Sequence, residues 1–304
     1  MINGIINIYK EKGYTSHDVV AKLRGILGQK KIGHTGTLDP DAEGVLPVCL
    51  GRATRLCDML TEKNKIYEAV LLLGKTTDTQ DITGRVLEER DTSSLTESYI
   101  KECIQGYIGE YEQLPPMYSA LKVKGRKLYE LAREGIEVER KKRLVQIFDI
   151  TIDRIELPRI SMEVKCSKGT YIRTLCHDIG QDLGAGGCME ALLRTKVGRF
   201  ELKDSLRLAQ VENLKETGKL SEVIVPTDAM FSELPSLTVA DEYWTYACNG
   251  NPLKPEYMTK KKTVSEGERV RIYDEEKTFI GIYHYNISKG EYRLEKMFFS
   301  PSKK

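Results

Sequence analysis

No apolar run in this chain approaches the ~20 residues that a membrane-crossing helix needs. The first ten residues lack a basic stretch ahead of an apolar one, and charge soon interrupts them, so they read as a first strand and not as a signal peptide. Cysteine is scattered: there are seven, an odd number, and no Cys-x-x-Cys pair. That pattern excludes a disulfide framework and argues for free thiols in a reducing compartment, so a cytoplasmic location is expected. Four histidines without ligand spacing do not suggest a metal site, and no dinucleotide-binding signature is present. Leu73-Gly74-Lys75-Thr76-Thr77 looks like the end of a phosphate-binding loop, but such a loop needs glycine five positions before Gly74, where Ala69 stands in an apolar run. Neither a metal nor a cofactor is expected.

What remains is ordinary in bulk and uneven in detail. The 304 residues are 40% hydrophobic and 30% charged, enough for a large core and for two domains. The net charge of +2 says little by itself, but nine Lys or Arg stand against four Glu from Lys122 to Arg143. A local basic segment is an electrostatic footprint for phosphates, although a solvated helix with paired charges gives the same pattern.

Ile5 to Tyr9 reads as a strand, and Ser16 as the cap of a helix through Val19, Val20, Leu23 and Leu27. Strands are expected at Val45–Leu50, Lys65–Leu73, around Val86, and across Leu144–Leu157, Ile160–Cys166 and Leu192–Phe200. Helices are expected at Ala53–Leu60, Thr96–Cys103, Lys127–Arg133 and Arg173–Leu183, and Gly74–Gly84 reads as a turn. Strands and helices mix with no regular βαβ repeat. The expectation is an α+β fold with a mixed, largely antiparallel sheet and flanking helices over residues 1–230. After a connector near Pro226 to Pro235, short strand-like runs suggest a small β-rich domain over 235–304.

One stretch stands apart. Gly33-His34-Thr35-Gly36-Thr37-Leu38-Asp39-Pro40-Asp41-Ala42-Glu43-Gly44 sets an acid among Gly, Thr and Pro, which suit neither helix nor strand. Pro40 pushes Asp39 toward an extended conformation, and a carboxylate on a rigid irregular loop is where chemistry tends to sit. Asp41 and Glu43 invite a paired-acid reading, but solvated loop acids explain them as well. Further along, Lys168-Gly169-Thr170-Tyr171-Ile172-Arg173 delivers Tyr171 and Arg173 near a helix start. Taken alone, Arg173 is a structural ion-pair residue and Tyr67 a half-buried strand tyrosine.

Taken together, these segments resemble the TruB family of tRNA pseudouridine synthases. The Asp39 loop, Lys65-Ile66-Tyr67-Glu68-Ala69, Leu114-Pro115-Pro116-Met117-Tyr118-Ser119, Lys168–Arg173 and Leu192-Leu193-Arg194-Thr195 match its motifs in order, as does the start through Lys10, Gly13 and Thr15-Ser16. The resemblance implies the pseudouridine synthase fold and conversion of uridine to pseudouridine at position 55, in the T loop of tRNA. It implies that Asp39 is the catalytic aspartate, that Tyr67 packs against the target base and that Arg173 pairs with Asp39. It also implies that His34 holds the opened RNA loop, and that Lys10, Tyr171, Leu192 and Arg194 support the substrate. Residues 115–143, with Lys124, Arg126 and Lys127, would clasp the RNA, and residues 235–304 would form a small RNA-binding domain. The partner would be the T arm of tRNA, bound by a monomer without membrane or protein partner. Two places depart from the family pattern: Glu11 stands where proline is usual after the lysine, and Leu193 where a second arginine is common. A non-catalytic RNA-binding module and a guide-RNA-dependent relative are the rival readings.

If the basic segment binds phosphate, neutralising Lys124, Arg126 and Lys127 together flattens the salt dependence of RNA binding. The slope of log K against log[salt] falls by about 0.7–0.9 for each phosphate no longer neutralised. Affinity titrations across a range of salt concentrations check it; an unchanged slope identifies a solvated helix.

Overall fold

The computed structural model describes residues 1–123, 125–260 and 265–299. Lys124 therefore lies outside the described residues. The main sheet has nine strands: β1 (Gly4–Lys10), β2 (Ile32–His34), β3 (Glu43–Leu50), β4 (Lys65–Leu73), β5 (Gly109–Gln113), β6 (Arg143–Glu156), β7 (Arg159–Cys166), β8 (Gly187–Val197) and β9 (Phe200–Glu201). The order across it is β1-β3-β8-β4-β7-β6-β5, with β2 on β3 and β9 on β8. All these pairings are antiparallel except β3 with β8, which is parallel through Leu193 opposite Glu43 and Arg194 opposite Gly44. The expected mixed, largely antiparallel α+β sheet is what forms.

The short parallel pairing matters most for the site. Gly44 has φ +105, and a Cβ there would fall 2.2 Å from the Arg194 carbonyl oxygen. Only glycine lets the two backbones meet, and the Asp39 loop ends at that meeting point.

Helix α1 (Ser16–Leu27) buries Val19, Val20, Leu23 and Leu27 at helical spacing against β1 and β3. Its cap is Thr15, not Ser16. Asp18 stands three residues on and closes a reciprocal capping box with Thr15. This frees the Ser16 hydroxyl to accept the Leu38 N–H at 3.0 Å, tying the helix to the Asp39 loop. The expected helix at Ala53–Leu60 is a 3-10 turn, Gly51–Leu56, followed by α2 (Cys57–Thr61).

Helices α3 (Glu97–Gln105) and α5 (Ile172–Asp182) cover one face of β4, β6 and β7 with Ile100, Ile104, Leu175 and Ile179. A Cβ on Gly180 would meet the Gly187 nitrogen at 2.2 Å, so α5 lies backbone to backbone on β8. The same glycines hid the first five residues of β8, whose expected start was Leu192. In the basic segment a short hairpin, Lys122–Val123 with Arg126–Lys127, precedes α4 (Leu128–Arg133). The sequence pattern had no counterpart for α6 (Leu208–Glu216), which packs on α1.

A second sheet runs in the order β10 (Ser236–Thr238), β11 (Arg269–Tyr273), β12 (Phe279–Asn286), β13 (Glu291–Met297). It shares a core with the first: Phe231, Ile282 and Phe298 pack with Ile5, Val45 and Leu56. Phe231 belongs to the stretch expected to be a bare connector, and it joins the two sheets. No described helix is long and apolar enough to cross a membrane.

Gly44→Ala combines a forbidden φ with a backbone clash. It should cost about 3 kcal/mol or more in stability, measured by urea unfolding, since strain and overpacking at such positions each cost about 1–3 kcal/mol.

Candidate active site

The Asp39 loop is anchored through polar contacts to its backbone and apolar side chains in the core. Thr35 donates from its nitrogen and its hydroxyl to the Pro47 carbonyl, both at 3.1 Å. Gly13 N–H meets the Pro40 carbonyl at 3.0 Å, and the Ala42 N–H closes back on the Asp39 carbonyl at 3.1 Å. Leu38 and Ala42 plug the loop into the core.

Two buried cations complete this anchoring. Lys10 is fully buried, and its ammonium donates to the carbonyls of Ala42 (2.6 Å), Pro40 (3.0 Å) and Glu11 (3.1 Å). Arg194 is 1% exposed and donates from Nε to the Val45 carbonyl (2.7 Å) and from Nη2 to that of Gly36 (3.2 Å). Both were expected among substrate-binding residues. The donors shown go to carbonyls of the loop and its flanks, because an irregular loop leaves backbone acceptors that the sheet cannot satisfy. Burial lowers the Lys10 pKa to about 8, against the pull of Glu43 and Asp39.

Arg173 enters from the first turn of α5. Gln113 fixes the nearby Tyr171 backbone through paired bonds, 2.7 Å to its nitrogen and 2.9 Å from its carbonyl. The guanidinium faces Asp39 with two contacts: Nη2 donates to Oδ1 at 3.2 Å, and Nε lies 2.9 Å from Oδ2. The Nε contact is close but poorly aligned, so it acts as an ion pair and not as a hydrogen bond. Nη2 also donates to the Tyr118 carbonyl at 2.8 Å, which brings the basic segment to the edge of the site.

Arg173 is shared with a second acid, Asp81, that the sequence motifs did not single out. Nη1 lies 3.3 Å from Asp81 Oδ2 and donates to the Thr79 carbonyl at 3.0 Å. The other Asp81 oxygen accepts from Thr79 Oγ1, Thr83 Oγ1 and Thr83 N. Gln80, with φ +64, bends this loop toward β8, where its carbonyl takes the Met189 N–H at 3.0 Å. Residues 74–84 were expected to be a turn alone. A signal was there: like Asp39, Asp81 sits in a threonine- and glycine-rich run.

The Asp39 side chain keeps 39% of its surface open, while Arg173 and Asp81 keep 5% and 15%. Burial in the surrounding protein nevertheless raises the Asp39 pKa. Arg173 opposes that rise and Asp81 adds to it. The expectation that arginine offsets desolvation therefore holds only in part.

Tyr67 projects from β4 opposite Arg194 on β8 and Val164 on β7. It is buried, and burial holds its phenol neutral; its hydroxyl lies in the fields of Arg194 and Asp39. Tyr171 is likewise a neutral phenol, kept so by burial. Leu192 packs at the margin of the same core and lines a groove with Asp41, Glu43 and Glu68. His34 ends β2, and its ring meets His17 edge-on at 5.3 Å. Burial lowers its pKa to about 4, so at neutral pH it offers a ring face and no charge. Arg126 pairs with Glu134 at 2.5 Å, and the Lys127 ammonium lies 5.3 Å from the Tyr129 ring centre. Both stand outside the pocket.

Comparison with known proteins agrees with this arrangement. Residues 24–172 match the N-terminal domain of TruB family pseudouridylate synthase, and residues 173–232 match the tRNA pseudouridylate synthase B C-terminal domain. The tRNA pseudouridine synthase B of Lachnoclostridium phytofermentans is 52% identical over 98% of this chain and all of that protein. Its namesake from Clostridium kluyveri is 48% identical, also over 98% of this chain and all of that protein. Among solved structures, a Cbf5–Nop10–Gar1 complex contains a chain with TM-score 0.72 and 28% identity, covering 98% of this chain and 85% of that one. An H/ACA RNP bound to a substrate RNA containing 2′-deoxyuridine gives 0.70 and 26%, over 97% and 85%. Sheet, loop and likeness define a pseudouridine synthase. Within that class, the extent of the sequence match leaves one assignment: the chain belongs to the TruB family.

Asp81→Asn removes the like charge that raises the Asp39 pKa. If ionised Asp39 does the chemistry, the acid limb of the single-turnover rate should move to lower pH in this variant. Arg173→Ala, which removes the opposing charge, should move it to higher pH. Rates measured across pH for both variants check the paired, opposite displacements.

Proposed function

We propose that this enzyme isomerises uridine 55 in the T loop of tRNA to pseudouridine, with Asp39 as its one catalytic carboxylate. The observation that carries the reading is the anchored Asp39, paired with Arg173 and lying close to the Tyr67 phenol. The names of the full-length relatives support tRNA as substrate.

The reaction breaks the N1–C1′ bond, turns the uracil and joins C5 to C1′. Nothing is oxidised and no group is donated. Hydrolases that break glycosidic bonds commonly use two carboxylates, one to protonate the leaving group. Here uracil leaves as a stabilised anion and stays bound, so one suffices. Ionised Asp39 either attacks C1′ or removes the 2′ proton, and Arg173 holds it charged within the protein. A base must leave its stack to be reached, and Tyr67 offers an aromatic surface for it, worth about 1–3 kcal/mol. His34 offers its uncharged ring to the opened loop, with Tyr171 and Leu192 bordering the pocket. Residues 115–143 close over the RNA through their exposed cations. Residues 235–304 act as a separate small RNA-binding domain on the seat that Phe231 provides. The enzyme acts alone, as a monomer in the cytoplasm, without a guide RNA.

Asp39→Asn keeps the shape and removes the charge. Single turnover on unmodified tRNA should fall about 10²–10⁴-fold, the usual contribution of a catalytic acid–base group, while tRNA affinity stays within about threefold. A near-wild-type rate rejects Asp39 as catalyst, and activity that appears only with added guide RNA rejects the stand-alone reading.

A further inference from the structure

The cysteines form no pair in sequence, but the fold brings two of them together. Cys49 on β3 faces Gly33 across the ladder with β2. A Cβ built on Gly33 would lie 3.1 Å from the Cys57 sulfur, so this thiol stands where Gly33 leaves out a side chain. There it packs in the same cluster as the Cys49 thiol. Cys49 is buried, while Cys57, at the start of α2, is partly exposed.

The two sulfurs are unequal. Cys57 is the more exposed, and its interaction with Cys49 lowers its pKa against burial, whereas the Cys49 thiol is pushed up by that interaction and by burial. An accessible, thiolate-prone sulfur beside a protected thiol is the arrangement of an attacking and a resolving cysteine. Cys176 and Cys188 also feel one another, but both are buried and both are raised, Cys188 to about 11. They offer no accessible thiolate.

We propose that Cys49 and Cys57 are a redox-active dithiol, a modification site that a peroxide closes to an intramolecular disulfide. The Cys57 thiolate attacks one oxygen of hydrogen peroxide; an S–O bond forms, the O–O bond breaks, and the departing hydroxide takes up the Cys57 proton as water. The Cys49 sulfur then attacks the sulfenic sulfur. The S–S bond forms, the S–O bond breaks, and the hydroxyl leaves with the Cys49 proton as a second water. Two thiols give up two electrons, and one peroxide becomes two waters.

The bond would fasten a structurally busy turn. Residues Gly51–Leu56 lie between the two cysteines, and Arg55 from this turn donates to the Met297 carbonyl at 2.5 Å. Arg52 lies over the Phe299 ring, 5.4 Å from its centre. Closure therefore staples to β3 the element that holds the end of β13.

The native protein is treated with hydrogen peroxide, unreacted thiols are alkylated, and intact mass and disulfide-linked peptides are read. A linked Cys49–Cys57 peptide is expected, with a mass loss of about 2 Da that dithiothreitol reverses and a higher thermal midpoint while oxidised. Cys57→Ser should abolish the link. Cys49→Ala should leave Cys57 as a sulfenic acid that dimedone traps. An unlinked pair at peroxide doses that oxidise the half-exposed Cys103 overturns the proposal, as does a 2 Da loss that persists in Cys57→Ser.

Discussion

One guanidinium between two carboxylates sets the character of this site. Arg173 reaches Asp39 with one edge and Asp81 with another, and the remaining donor capacity goes to the carbonyls of Thr79 and Tyr118. Arginine suits the position because its charge survives burial and its planar fork addresses several acceptors at once. Sharing also divides the arginine's charge between two partners. Asp39 feels burial and Asp81 on one side of the balance and Arg173 on the other, and the balance leaves its pKa raised.

Holding that triad requires a loop that does not yield. Buried backbone carbonyls away from sheet and helix carry a desolvation cost unless donors reach them. Lys10 and Arg194 supply those donors from β1 and β8, the strands on either side of β3. The parallel pairing of β3 with β8 is the only one of its kind in the main sheet among the described residues, and Gly44 permits it. Rigidity at Asp39 thus depends on buried cations held by strands β1 and β8.

The second sheet extends the same logic outward. Its seat is apolar, built from Phe231, Phe279 and Phe298 against the far side of β1 and β3. The strand that leads out of the Asp39 loop therefore has the core built with α1 and α6 on one side and the seat of the second sheet on the other.

Local structure and the place of the chemistry were legible along the chain. β4 appeared at its full length, α1 by its apolar spacing, and the Asp39 loop by glycine, threonine and proline that exclude regular structure. These are properties of neighbouring residues, and neighbours in sequence carry them. Which way the charges face was settled only by packing in three dimensions. Lys10 and Arg194 look like any surface cation when read along the chain, because burial depends on strands far apart in sequence. The same distance hid Asp81, 92 residues from Arg173, whereas Cys49 and Cys57 are near in sequence and are brought together over Gly33 by the turn between them. It also turned a featureless connector into the anchor of the second sheet, since one phenylalanine has no period to reveal it.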